Sequence, residues 1–364
     1  MSLGPVAVVG VGLMGGSLGL ALAGRAGARE VRGVDPDPEA LRVARAVGAI
    51  SHAAESVEEA AAGAEAVFLA APVPLLPDLA RRALAASGPD CVVTDVGSAK
   101  TGVLAALGDA PRERFIGGHP VCGGERTGVV FARQELFQGA TWFLTPEPDA
   151  RPDLFERLHG LVAALGARPV AIDPDVHDRL MALVSHLPHV LAGALVNQAA
   201  TTAPGGREAL RSAGPSFVDL TRVAGSNPPL WADILLANRA AVLEAIRGFA
   251  TGLADVEAAV ERGDREWLLG FVGRAAEARA RLRAAADAAP VAPARVVVAL
   301  PNRPGALSEI ATALGHAHIN IEDLQLRPGP PGGEGELELV VDGDDAAREA
   351  VRLAAERGYR VRRA

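Results

Sequence analysis

The sequence predicts a doubly wound, largely parallel α/β domain followed by an all-α domain and a small α+β domain, and three observations carry that reading. Short apolar runs alternate with helical stretches as far as Ile172. From Asp173 long stretches of helical apolar spacing run without a convincing strand. Beyond an alanine- and proline-rich segment, residues 284–294, a βαββαβ order begins. A chain of 364 residues exceeds one ordinary domain and can bury a sizeable core. The expected boundaries are 1–172, 173–288 and 294–364.

Taken in order, the apolar run Val6–Val9 meets Gly10-Val11-Gly12-Leu13-Met14-Gly15 and then a helical stretch from Ser17 to Ala26, which reads as strand, tight turn and helix. Glu30–Val34 is a second strand ending in Asp35. Ala66–Ala70, Cys91–Asp95, Arg114–Gly117, Thr141–Leu144 and Arg168–Ile172 are further strands of one sheet. Helices are expected at Val176–Ala200, Glu208–Ala213, Pro229–Gly252 and Leu253–Ala288. Their apolar content exceeds what one bundle requires, so part of this domain should be a dimer interface. After the 284–294 linker, strands are expected at Arg295–Leu300, His318–Leu326, Glu334–Val341 and Tyr359–Val361, with helices at Pro304–His316 and Asp344–Arg357.

Composition narrows the function classes. A net charge of −8 and a pI near 5.6, without a basic face, argue against nucleic acid as a partner. The absence of an uninterrupted apolar run of about 18 residues, with an N-terminus that reads as strand and glycine turn rather than a signal peptide, leads to the expectation of a cytoplasmic chain with no membrane partner. Cys91 and Cys122 have neither metal-ligand nor disulfide spacing and read as structural; no metal is expected. Of 36 basic residues, Lys100 is the only lysine. Arginine serves wherever a generic positive charge would do, so Lys100 is assigned to the catalytic group for ammonium chemistry, the plain alternative being a lone survivor in an arginine-biased chain.

A G-x-G-x-x-G alone is weak in a chain with 41 glycines, but here it follows a strand and opens a helix, and Asp35 ends the next strand. Gly10 would permit the turn, Gly12 the approach of phosphates and Gly15 close helix–strand packing, with Leu13 and Met14 at the helix start. A carboxylate at Asp35 suits a ribose diol and would repel a 2′-phosphate. The pattern implies a Rossmann-type domain binding NAD rather than NADP.

Three polar clusters remain: Asp95–Thr101, containing Ser98 and Lys100; Gly117-Gly118-His119-Pro120 at a strand end; and Ser185-His186-Leu187-Pro188-His189 in the first long helix. Arg222 adds a guanidinium. The series GVGLMGGS, DVGSAKT, FIGGHPVCGGERTG, VSHLPH and DLTRVAGSNPPLW resembles, in order and spacing, the motifs of prephenate dehydrogenases across about residues 5 to 250. The resemblance implies NAD-dependent oxidative decarboxylation of prephenate to 4-hydroxyphenylpyruvate in tyrosine biosynthesis. It also implies roles: His119 takes the ring-hydroxyl proton, Ser98 orients that hydroxyl and the nicotinamide, and Arg222 binds the ring carboxylate. His189, Glu125 and Trp231 fall on positions that line the substrate, and His186 is grouped with them. Gly124 and Cys122 depart from the family pattern.

The turn Asn302-Arg303-Pro304-Gly305-Ala306-Leu307, followed by His318-Ile319-Asn320-Ile321-Glu322 entering the next strand, resembles the ligand-binding turn of ACT domains over residues 294–364. That implies an amino-acid effector, tyrosine being the logical one, and side-by-side pairing in a homodimer. Two other readings stay open: arogenate dehydrogenase, and a catalytically silent amino-acid-sensing protein.

Overall fold

The computed structural model describes residues 3–124, 126–202, 212–286, 293–303, 305–317, 319–327, 329–330 and 333–363. Eight strands form the first sheet: β1 (Pro5–Val9), β2 (Glu30–Val34), β3 (His52–Ala53), β4 (Ala66–Leu69), β5 (Val92–Asp95), β6 (Phe115–Pro120), β7 (Thr141–Thr145) and β8 (Arg168–Ala171). Their order is β3-β2-β1-β4-β5-β6-β7-β8. All of β4, β5 and β6 is buried, as central strands of a sheet covered by helices on both faces should be. The helices are α1 (Leu13–Gly24), α2 (Pro38–Ala46), α3 (Val57–Ala61), α4 (Leu76–Ala86), α5 (Thr101–Ala105) and α6 (Pro152–Ala164). The strand order reverses between β1 and β4, which opens a crevice at their carboxyl ends.

Two features of this sheet were not foreseen. The two-residue β3, paired with Arg32 and Gly33, is too short to show any alternation. The pair β6–β7 is antiparallel, because the connection between them holds only short 3-10 turns at Val129–Phe131 and Gln134–Phe137 instead of a crossover helix. That connection folds back over α1, where the Arg133 amide donates to Ser17 Oγ (3.0 Å).

The second domain is helical: α7 (Pro174–Met181), a π-turn at Ala182–His186, α8 (Leu187–Thr202), α9 (Pro215–Thr221), α10 (Pro228–Ala237), α11 (Arg239–Glu261) and α12 (Arg265–Ala286). The expected break between Gly252 and Leu253 is absent. The chain turns instead at Gly263, whose φ of +64° closes α11, and Asp264 caps α12 by accepting from the Trp267 amide (3.1 Å). Residues 229–252, expected as one helix, are split at Asn238, and α9 was not foreseen. The helix expected from Glu208 falls largely on residues 203–211, outside the described residues, and 287–292 of the linker do too. The span Pro174–Thr201 is long and apolar enough, by length and composition alone, to cross a membrane, contrary to expectation, although only 28% of its apolar window is buried. In this fold it carries site residues and packs Ala182 and Leu187 against Val242 and Ala245.

The third domain has β9 (Ala294–Pro301), α13 (Ala306–His316), β10 (Ile321–Arg327), β11 (Glu334–Val341), α14 (Gly343–Glu356) and β12 (Arg360–Arg363), with sheet order β10-β11-β9-β12. It is not a bead on a tether. Its apolar core is continuous with that of the first domain, joining Ile310, Leu314 and Ile321 to Leu154, Phe155 and Leu158. His159 Nε2 donates to the Ile321 carbonyl (3.1 Å), and Ser308 Oγ donates to the Glu147 carbonyl (3.2 Å). Gly315 lies against the Ala171 carbonyl so closely that a side chain would collide with it.

Candidate active site

The first half of the site is the crevice at β1. Gly10 takes φ +90° and packs against the Ala70 carbonyl, leaving no room for a Cβ, and Gly15 packs against the Gly10 carbonyl in the same way. Gly12 differs, because a Cβ there would meet nothing within 4 Å, so its surface is open to a ligand. Gly12 also caps α1 without any side-chain hydrogen bond, and no acidic residue occupies the first turn. The amides of Leu13 and Met14 therefore begin a helix whose positive end faces the open side, a ready anion seat. Asp35 accepts from the Val11 amide (2.8 Å) and the Asp37 amide (2.9 Å), which orients its carboxylate at the end of β2. These residues fit a dinucleotide: amides and Gly12 for the pyrophosphate, Asp35 for the adenosine ribose.

The second half is a hydrogen-bonded chain that joins two domains. His119, at the end of β6, brings Nδ1 within 2.9 Å of His177 Nε2, and His177 Nδ1 lies 2.8 Å from Asp178 Oδ1. Asp178 is itself held by the amides of Lys100 and Thr101, each donating at 2.9 Å. The network assigns the protons. A carboxylate only accepts, so His177 carries its proton on Nδ1 and presents a lone pair at Nε2; His119 must then donate from Nδ1. Its Nε2 is left with a lone pair, and the side chain is 9% exposed. Burial first, then the neighbouring His177 and Lys100, holds His119 well below the ordinary histidine range. Burial likewise lowers His177 despite its bond to Asp178. A neutral His119 is the form that can accept a proton.

Beyond this chain lies a second cluster. The π-turn precedes Pro188, which has no N–H to give the helix, and the extra residue in that turn brings His186 and His189 together around Trp231. The His189 ring stacks on Trp231 with centroids 3.3 Å apart, and the His186 ring meets it edge-on at 6.1 Å. His189 Nδ1 donates to the Ser185 carbonyl (3.1 Å), so Nε2 is the acceptor facing Ser226 Oγ at 3.3 Å. Arg222 is exposed at the end of α9, and its charge helps lower His189, after burial. Ser98 is half-buried in the turn after β5.

Two placements differ from expectation. Lys100 is 1% exposed, so it cannot meet a substrate: its ammonium pairs with Asp95 and donates to the Gly118 carbonyl (2.7 Å). His186 is also 1% exposed, and its Nδ1 accepts from Asn238 (3.2 Å), whose amide also donates to the Asp178 carbonyl (2.7 Å). It serves as a strut for the helix. Glu125 and Pro304 lie outside the described residues. His177, Asp178 and Asn238 were missed from sequence; the adjacent His-Asp pair at the start of the helical domain was the one available signal.

A nucleotide-binding crevice beside a neutral, hydrogen-bonded histidine defines the chain as an NAD-dependent dehydrogenase. Comparison with known proteins agrees. Residues 18–171 match the prephenate dehydrogenase nucleotide-binding domain, 173–273 the prephenate dehydrogenase dimerization domain and 294–356 the ACT domain. Prephenate dehydrogenase of Bacillus subtilis (strain 168) is 30% identical, covering 95% of this chain and 94% of that protein. The crystal structure of prephenate dehydrogenase from A. aeolicus in complex with hydroxyphenyl propionate and NAD+ superposes with a TM-score of 0.73 at 30% identity, over 78% of this chain and 99% of that one. Synechocystis arogenate dehydrogenase gives 0.67 at 27% identity, over 76% and 99%. The chain belongs to the prephenate dehydrogenase family.

Proposed function

We propose that this dehydrogenase oxidatively decarboxylates prephenate to 4-hydroxyphenylpyruvate, and the observation that carries the proposal is the Asp178–His177–His119 chain, which leaves His119 Nε2 as an uncommitted acceptor at the end of β6. Bound NAD+ supplies the hydride acceptor. The chain's own residues do the rest. His119 Nε2 takes the proton of the ring hydroxyl as hydride leaves the carbon that bears it, so a C=O forms. Loss of CO2 then leaves the bond's electron pair in the ring, making it an aromatic phenolate, which takes the proton back from His119. Asp178 and His177 hold the tautomer that makes His119 an acceptor, as a carboxylate orients an imidazole in other acid–base sites. Arg222, near the His189–Trp231 stack, binds the ring carboxylate through its planar fork. Ser98 orients the hydroxyl.

The helical domain carries exposed apolar side chains, among them Phe249, Leu253, Val260 and Val272, which fits pairing of two copies through the dimerization-type domain. The ACT turn at Asn302–Leu307 is read as the seat of an amino-acid effector, with tyrosine, the end product, as its ligand. NADH formation at saturating NAD+ with prephenate and with arogenate tests the reading. Prephenate should give at least about tenfold higher kcat/KM, roughly 1.4 kcal/mol. The reverse preference would make the chain an arogenate dehydrogenase, and activity with neither would leave an amino-acid sensor.

A further inference from the structure

We infer that Asp95 and Lys100 are positioning residues for His119, acting through a clamp on both backbone polar groups of Gly118. The inference rests on His119 being the base. Asp95 closes β5, and its two carboxylate oxygens face different partners: Oδ1 accepts from the Gly118 amide (3.1 Å) and Oδ2 from the Gly97 amide (2.9 Å). Oδ2 also receives the Lys100 ammonium, which donates a further bond to the Gly118 carbonyl (2.7 Å). The residue preceding His119 is thus held at its N–H by the anion and at its C=O by the cation, and both side chains are fully buried. Charge-assisted bonds of this kind are stronger and less forgiving of displacement than neutral ones.

The glycines before His119 follow from the clamp. A Cβ on Gly118 would come within 2.5 Å of the Asp95 carbonyl and 2.8 Å of Thr94 Oγ1, and a Cβ on Gly117 would crowd Thr145 Oγ1 and approach the Lys100 side chain at 3.2 Å. Two glycines let β6 approach the ion pair closely enough for the bonds to form. The main chain of residue 100 completes the arrangement, because its amide holds Asp178 (2.9 Å), which sets the His177 tautomer and through it that of His119. The 95–101 turn therefore fixes His119 twice, once through its peptide and once through its ring. This also accounts for lysine where the chain otherwise uses arginine: a compact ammonium fits a sealed space between a carboxylate and a carbonyl, where a planar fork does not.

The test compares Lys100→Met, the double variant Asp95→Asn/Lys100→Met and His119→Asn, each as the full chain. The double variant is needed because removing one partner leaves an uncompensated buried charge that threatens folding. In the double variant kcat should fall by about 10²-fold, the loss that a misplacement of about 1 Å produces. The Kd for NAD+, read by tryptophan fluorescence, should stay within about threefold. Among the described residues, the charged and titratable groups facing His119 are Lys100 and Asp95 from the turn, His177 and Asp178 from α7, and His186 from the π-turn. Removing the cation alone should move the acid limb of the kcat profile to higher pH, and removing both charges should move it less. A folded double variant with kcat within about threefold of wild type and an unmoved acid limb, beside an inactive His119→Asn, would overturn the clamp alone. A loss confined to NAD+ affinity would also overturn it. Full activity in His119→Asn would remove the base, and the clamp's purpose with it.

Discussion

His119 Nδ1 sits 2.9 Å from His177 Nε2, with the two rings edge to face at 74°, and the two residues belong to different domains. One lies at the end of β6 in the sheet, the other on the first turns of the helical domain, so the proposed base is assembled where the two domains meet. Its protonation state is a property of that junction.

His119→Asn keeps a polar side chain of similar reach but removes the base. We expect kcat to fall by about 10²–10⁴, with NAD+ binding little changed. Because burial, His177 and Lys100 all lower His119, wild-type activity should be flat through neutral pH. It should decline only in acid, below the ordinary histidine range, as the imidazole protonates. A limb at or above pH 7 in the wild type would show that a different group titrates.

His177→Leu removes the acceptor for His119 Nδ1 and frees the ring to adopt either tautomer. Activity should drop by about tenfold or more, less than for loss of the base, in line with the strength of a single orienting hydrogen bond. Steady-state kinetics at saturating substrate measures this, and a larger loss in His177→Leu than in His119→Asn would assign the base to His177.

Asp35→Ser removes the carboxylate held at the end of β2 by the Val11 and Asp37 amides. The ratio of kcat/KM for NAD+ over NADP+ should narrow by about tenfold or more, because the repulsion of a 2′-phosphate is lost together with the ribose bond. A wild type with equal kcat/KM for NAD+ and NADP+ would refute the role.

Arg222→Ala should raise KM for the diacid substrate with a smaller effect on kcat, since a carboxylate anchor acts in ground and transition states alike. A change in KM of less than about threefold, roughly 0.6 kcal/mol, would place the anchor elsewhere. For the effector turn, Asn302→Ala removes a side chain that donates to the Gly329 carbonyl (2.7 Å). If this turn is the proposed tyrosine seat, the tyrosine concentration for half inhibition should rise about tenfold, and an unmoved value would put inhibition in the catalytic cleft.

Acid should also loosen the third domain. His159, buried between α6 and β10, is lowered from 6.5 to about 4 by burial. Its folded-state pKa is depressed, so the unfolded chain binds the extra proton first. The stability from keeping this ring neutral is present above the unfolded pKa near 6.5 and is lost as pH falls towards 4. The full shift is worth roughly 3 kcal/mol. Urea midpoints measured at pH 7 and pH 5 should converge in His159→Gln, and an equal loss in both proteins would exclude His159 as the source.

The sequence by itself determined the elements whose signal is local. The apolar runs that became β1, β4 and β5, the glycine pattern at Gly10–Gly15 with Asp35 a strand later, and the βαββαβ order after residue 293 depend on periodicity and on glycine's freedom, which neighbours in the chain reveal. The break at Asn238 and the turn at Gly263 were harder to see, because alanine-rich stretches carry helical spacing across both. Only the tertiary structure decided what the polar residues do. His177 and Asp178 look like a surface pair on a helix until β6 delivers His119 to them. Lys100 looks like a reactive amine until Asp95 and Gly118 close around it, and His159 looks like an ordinary helical residue until β10 covers it. Burial and hydrogen-bond partners arrive from distant segments, and they alone set which histidine is neutral, which nitrogen carries the proton and which charge is sealed from substrate.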